Sequence, residues 1–187
     1  VLSIEKSNMN PLNVIDLLEA SGRKLELKKL RYSRSSLSPV LTELALNRHL
    51  DLAKGYVERY NDGKGDPSFN EAGAFLHNIF FEQFRSPTSN NRPAGPVNTL
   101  INKKYNTFGD FREKFAETAM GIQGSGWVYL ARNGDIKTIK NHAKRTDILL
   151  LVDWWEHAWV TDYGTNKKKY LDNIWKIINW GVVNSRL

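Results

Sequence analysis

Four of the 187 side chains are histidines and none is a cysteine. Those counts exclude thiolate catalysis, iron–sulfur clusters and cysteine zinc sites, and they leave imidazole and carboxylate as the groups for any metal chemistry. His49 and His77 each fall in the middle of a helical pattern. His157 follows a buried-looking apolar run in Asp153-Trp154-Trp155-Glu156-His157, and His142 stands ahead of that run. A single histidine on an apolar helix face is ordinarily a satisfied core residue. Two on paired helices, joined by a carboxylate and a histidine four apart at a strand exit, are a different case. Stranding such groups without partners costs several kcal/mol. One cation shared by His49, His77, Asp153 and His157 would satisfy all four, and three imidazoles with one carboxylate suit Fe, Mn or Zn.

The elements that must position these groups follow from periodicity. Leu46, His49, Ala53, Tyr56, Val57 and Tyr60 share a helical face between Thr42 and Asn61, and the turn Asp62–Pro67 closes it. Asn70 to Phe84 is helical again, with Ala72, Phe75, Leu76, Ile79 and Phe80 on one stripe, so the two helices form an antiparallel hairpin. Three prolines in residues 86–96 mark a linker. Helices near 97–105 and 109–120 come next, then a strand at Trp127–Arg132, the hairpin dipeptide Asn133-Gly134 and a return strand over Asp135–Asn141. Ile148–Asp153 reads as a buried third strand. Tyr170, Leu171, Ile174, Trp175, Ile177 and Ile178 mark a closing amphipathic helix.

The expected fold is α+β: an N-terminal antiparallel helical hairpin, then a C-terminal domain with a three-stranded antiparallel sheet flanked by helices. Its organisation reads as an extension over 1–26, a hairpin domain over 27–86, a linker over 87–96 and an α+β domain over 97–187. Asn10-Pro11 and the apolar residues up to Leu18 suggest a short capped helix within the extension, and residues 23–39 read as an extended basic arm.

The formal charge is +7. Its basic residues are scattered, which fits a solvated surface or the attraction of a small anion better than a nucleic-acid face, and no nucleic-acid partner is expected. No apolar stretch is long enough for a membrane helix and the first residues lack a secretory layout, so a soluble protein is expected; cytoplasm and organellar matrix both fit, and the compartment is open.

The stretch Asp153-Trp154-Trp155-Glu156-His157-Ala158-Trp159 resembles the D-x-W-E-H-A-aromatic signature of the iron/manganese superoxide dismutases. Further blocks resemble that family in its own order: the arm Leu27–Pro39, Phe69-Asn70 with His77–Phe81, Ile122–Leu130, and Tyr170–Trp180. The resemblance covers residues 27–187. It implies that His49, His77, Asp153 and His157 bind one Fe or Mn ion per subunit, with Fe slightly preferred, and that the substrate is the superoxide anion. Tyr56, two helical turns after His49, corresponds to the family's gateway tyrosine, although the family spacing is one residue longer. Trp127 and Trp155 correspond to the aromatic wall. Gly73 occupies one of the two positions from which the family supplies a glutamine to the metal-bound solvent. His142 occupies the other and is the implied donor. Glu156 implies a homodimer, since in the family it bridges to the partner's metal-ligating histidine. The family's interface tyrosine is Val160 here, its companion histidine falls at the apolar pair Leu52-Ala53, and an arginine before the last helix is Lys167.

Two other classes of function compete. The basic charge and the N-terminal extension would suit a non-catalytic structural subunit of a larger, ribosome-type assembly. Three histidines and an aspartate would also suit a zinc hydrolase. An intact set of four ligands opposes the first, and the dismutase-like blocks oppose the second.

Overall fold

The computed structural model describes residues 24–187. The short helix expected at residues 11–18 lies outside them. Seven α-helices among the described residues are α1 (Glu43–Asn61), α2 (Pro67–Glu82), α3 (Gly95–Tyr105), α4 (Phe108–Met120), α5 (Val160–Tyr163), α6 (Lys167–Ile174) and α7 (Trp180–Asn184). Between α4 and α5 run β1 (Gly126–Ala131), β2 (Ile136–Lys140) and β3 (Ile148–Asp153). The fold is α+β, a helical hairpin followed by a three-stranded antiparallel sheet with helices around it.

Helix α1 begins where the Thr42 hydroxyl accepts from the Ala45 amide. Asp162 reinforces that start, since its carboxylate accepts both the Thr42 amide (2.8 Å) and the Thr42 hydroxyl (2.6 Å). Tyr163 donates its hydroxyl to the Val40 carbonyl. The chain just past His157 is thereby fastened to the start of the helix that carries His49. Helix α2 starts at Pro67, three residues earlier than the apolar stripe suggests. Asp66 caps it by accepting from the Phe69 amide at 2.7 Å, and proline suits a first helical position.

The sheet order is β2-β1-β3, and the register sets Trp127 opposite both Ile139 and Asp153. All six residues of β3 are buried even though it is an edge strand. Helices α2 and α7 pack against it, and its outer edge is met by Gln83, a fully buried side chain one residue beyond α2. Its Oε1 accepts from the Leu151 amide at 3.1 Å, and its Nε2 donates to the Leu151 carbonyl. One amide side chain thus does the work of a neighbouring strand at that position. Replacing Gln83 with leucine would orphan both Leu151 groups. The expected loss is about 2–4 kcal/mol, read from denaturant midpoints.

The closing helix differs from the expectation. Helix α6 ends at Ile174, a 3-10 turn spans Trp175–Ile177, and α7 starts afresh at Trp180. The Asn91 amide donates to the carbonyls of Trp175 (2.9 Å) and Ile178 (2.7 Å), while the Asn179 amide donates to the Gln83 carbonyl. The Asn179 side chain then caps α7 by accepting from Gly181 and Val182. Backbone groups that a continuous helix would use are taken by the 83–91 segment. The apolar residues of the stripe are still buried, so the periodicity is correct about burial and not about continuity. The arm likewise includes a 3-10 turn, Arg34–Leu37, which buries Leu37. No helix among the described residues is long and apolar enough to cross a membrane.

Candidate metal centre

Asp153 ends β3 and is completely buried. One carboxylate oxygen, Oδ1, accepts from the Trp155 amide at 2.8 Å, and the Asp153 carbonyl accepts from the Tyr170 hydroxyl at 3.2 Å. The other oxygen, Oδ2, faces three imidazoles. It stands 3.1 Å from His49 Nε2, 3.1 Å from His157 Nε2 and 3.7 Å from His77 Nε2. The four donor atoms all lie within 4.8 Å of one another. Atoms held about 2.1 Å from one cation at angles of about 90–120° would be about 3.0–3.6 Å apart, close to the three distances from Oδ2. A small inward shift of the imidazoles would close the 4.8 Å span onto one ion.

Protonation makes the same point. His77 Nδ1 donates to the Gly73 carbonyl at 2.7 Å, which leaves a lone pair on Nε2. That Nε2 is buried, has no hydrogen-bond partner among the described residues, and looks across at a carboxylate. Burial pushes the His77 imidazole well below the usual histidine range, and the neighbouring His49 pushes it further. Burial lowers His49 too, against the pull of Asp153. Burial alone would raise the Asp153 carboxyl, but His157 and His49 hold it well below the usual carboxylate range. A carboxylate and a bare imidazole nitrogen facing each other in a core repel unless a cation lies between them. The donor set therefore fits one Fe or Mn ion.

His142 follows β2 and is buried. The Trp127 indole can only donate, so its contact of 3.1 Å makes His142 Nδ1 the acceptor and leaves the ring proton on Nε2. That Nε2 is buried without a partner among the described residues. The ring stacks on Trp155 at 4.6 Å and meets Phe69 at 4.7 Å, Tyr56 at 4.9 Å and His77 at 5.8 Å. Burial lowers its pKa to about 4.

Tyr56 lies 5.5 Å from the His77 ring, so its placement seven residues after His49 brings it to the cluster. Burial raises the pKa of its hydroxyl, the Asp153 charge adds to this, and Arg59 opposes both. Gly73 makes room for the ring: a Cβ there would stand 2.9 Å from Tyr56 Cγ. A glutamine at position 73 is incompatible with Tyr56 as it stands. Gly73→Ala gains about 1 kcal/mol of helix propensity and loses about 1–3 kcal/mol to overpacking. A net loss of stability with a displaced Tyr56 ring is expected, seen in a denaturation curve and in tyrosine fluorescence.

Of the residues expected from sequence, His49, His77, Asp153, His157, Tyr56, His142, Trp127 and Trp155 are gathered in one place. Glu156 is not: it is exposed and makes no side-chain hydrogen bond or ion pair among the described residues. Sequence reasoning placed Phe69 in a family-like block but gave it no role at the site, where its ring packs beside Tyr56, His142 and Trp155. It passed over the carbonyl of Gly73 and the hydroxyl of Tyr170. A carbonyl four residues before a helical histidine was a usable signal; nothing in the sequence singles out Tyr170.

Residues 93–186 match the family described as iron/manganese superoxide dismutases, C-terminal domain. The chain belongs to the iron/manganese superoxide dismutase family. Among its relatives, Superoxide dismutase [Fe] of Bacteroides fragilis is 29% identical over 190 residues, which cover 87% of this chain and 98% of that protein. Superoxide dismutase [Fe] of Pyrobaculum aerophilum is 29% identical over 195 residues, covering 88% and 92%. The protein of the same name from Saccharolobus solfataricus is 28% identical over 203 residues, covering 91% and 96%. Ala53 is fully buried, Val160 is exposed, and the Lys167 ammonium lies 5.5 Å from the Trp154 ring.

Proposed function

We propose that the chain is a superoxide dismutase, converting two superoxide anions and two protons into O2 and H2O2. The observation that carries this reading is the convergence of His49, His77, Asp153 and His157 on one point, in a chain of this family. These four would hold one Fe or Mn ion per subunit. When bound, the ion supplies two oxidation states one electron apart, the couple that disproportionation requires. Iron is the preferred ion, supported by relatives named for it.

The surrounding side chains divide the remaining work. Trp127 takes the lone pair of His142, so His142 presents an Nε2–H donor toward solvent bound in the site. Its lowered pKa keeps that donor neutral at physiological pH. Tyr56 keeps its hydroxyl proton and stands beside His77 as the gate and a proton source. Trp155 stacks on His142 and, with Phe69, excludes bulk water from that side.

A homodimer is part of the proposal, with Glu156 reaching the partner's His157. Its support is the exposure of Glu156 and its lack of a partner among the described residues of its own chain. Val160 is exposed and lacks the hydroxyl of the tyrosine that the resemblance places there. The helix behind it carries the apolar pair Leu52-Ala53 in place of a histidine, so an altered hydrogen-bond relay and turnover below the family's usual rate are expected. The test is to load metal-free protein with Fe(II) or Mn(II) separately and follow superoxide consumption. Faster consumption with Fe supports the reading, activity with Mn alone reverses the metal choice, and full loading without activity in either form refutes it.

A further inference from the structure

Arg59 lies on α1, one turn after Gly55. Its guanidinium carbon stands 4.9 Å from the centre of the Tyr56 ring. An arginine on an exposed helix surface ordinarily samples many rotamers, and this one is held at three points. Its Nε donates at 3.2 Å to Oδ1 of Asn70, a residue only 2% exposed. Asn70 is fixed in turn, since its Nδ2 donates at 2.9 Å to the Lys64 carbonyl. The third point is the missing side chain of Gly55: a Cβ there would stand 3.0 Å from Arg59 Nη1. The glycine is helical and shows no backbone need for its type, so what it provides is space for the guanidinium.

Three of the lysines at this end of the hairpin are paired with carboxylates. Lys54 pairs with Glu58, Lys64 with Asp62, and Lys144 with Glu71. Arg59 has no carboxylate within ion-pair distance among the described residues. It is bound on one side to Tyr56 and on the other to Asn70, the neighbour of Phe69. Tyr56 and Phe69 in turn flank His142. An uncompensated charge is therefore held at the rim of the metal site, one ring away from His77.

We infer that Arg59 is the cation that draws the anionic substrate to this site, its guanidinium fixed at the rim by Tyr56, Asn70 and the space above Gly55. The inference rests on the dismutase reading for the identity of the anion as superoxide. It gives the net charge of +7 a specific element: one positioned cation rather than a diffuse surface.

The test uses full-length, metal-loaded protein with equal metal content in every variant, and azide as a second small anion. Two readings are taken: the second-order rate with superoxide, and azide affinity by calorimetry. Each is measured at about 10 mM and about 150 mM salt, where the Debye length shrinks from roughly 30 Å to roughly 8 Å. R59Q is expected to lower both the rate and the azide affinity about threefold at low salt and to flatten their salt dependence. R59K, which keeps the charge, is expected to retain most of that dependence. G55A, which stiffens the helix while displacing the guanidinium, is expected to fall between R59Q and wild type without losing melting temperature.

Unchanged rate and azide affinity in R59Q would overturn the inference. R59K behaving like R59Q would also overturn it, because the arginine would then be acting through packing alone. G55A matching wild type would overturn the role of the fixed position. If loaded wild-type protein fails to consume superoxide, the dismutase reading fails, while the azide measurement still reports on Arg59.

Discussion

Asp153→Ala is expected to abolish metal retention and superoxide consumption together. The carboxylate is the single negative charge in the cluster, and its Oδ2 faces all three imidazole nitrogens. Its Oδ1 also accepts the Trp155 amide, which sets the turn that carries His157. The loss should therefore exceed the roughly 10–100-fold that changes outside the ligand set produce. Stability should fall as well. Without metal, removing Asp153 orphans the Trp155 amide and the two imidazoles bonded to Oδ2, so the metal-free melting point is expected to drop, by at least about 1–3 kcal/mol of stability. With metal at about 1,000 times its dissociation constant, the wild type alone should gain about 4 kcal/mol. Melts of both proteins with and without metal, beside metal content per chain, check this. A fully loaded and active alanine variant would contradict the ligand assignment.

His142→Ala is expected to leave the metal bound and reduce activity roughly 10–100-fold, because it removes the donor without touching a ligand. It also orphans the Trp127 indole N–H, at about 1–3 kcal/mol. His142→Gln keeps an N–H donor and should recover part of the rate. The pH dependence separates the two proteins further. The folded-state pKa of His142 is about 4, below the 6.5 of an unperturbed histidine. Between those values the unfolded chain takes up a proton that the folded chain refuses, so stability is present above pH 6.5 and is lost as pH falls toward 4. Metal-free wild type should lose on the order of 2 kcal/mol more than metal-free His142→Gln across that window. Equal losses in denaturant titrations at pH 7 and pH 4.5 would contradict the assignment.

Much of the site was legible because its ligands interrupt strong patterns. His49 and His77 sit on apolar stripes where a polar group needs a reason, and Asp153 ends an uninterrupted apolar strand. The hairpin was readable from Asn133-Gly134, and α1 from an apolar stripe that persists from Thr42 to Asn61 across the single glycine at position 55. What stayed hidden depends on contacts between distant segments. Gln83 supplies a strand's worth of hydrogen bonds to Leu151, 68 positions away, which no local pattern encodes. The break after Ile174 is imposed by Asn91 and Gln83 from elsewhere in the chain, while the apolar period continues across it. Gly73 could be recognised as the absence of a glutamine. That its missing Cβ is the seat of the Tyr56 ring emerges only once α1 and α2 are packed together.

The most direct test of the central claim is stopped-flow decay of superoxide plotted against metal content per chain. The expected result is a rate that rises linearly to a plateau at one Fe or Mn per chain, with one H2O2 formed for every two superoxide anions consumed. Protein loaded to one metal per chain that decays superoxide no faster than buffer would contradict it.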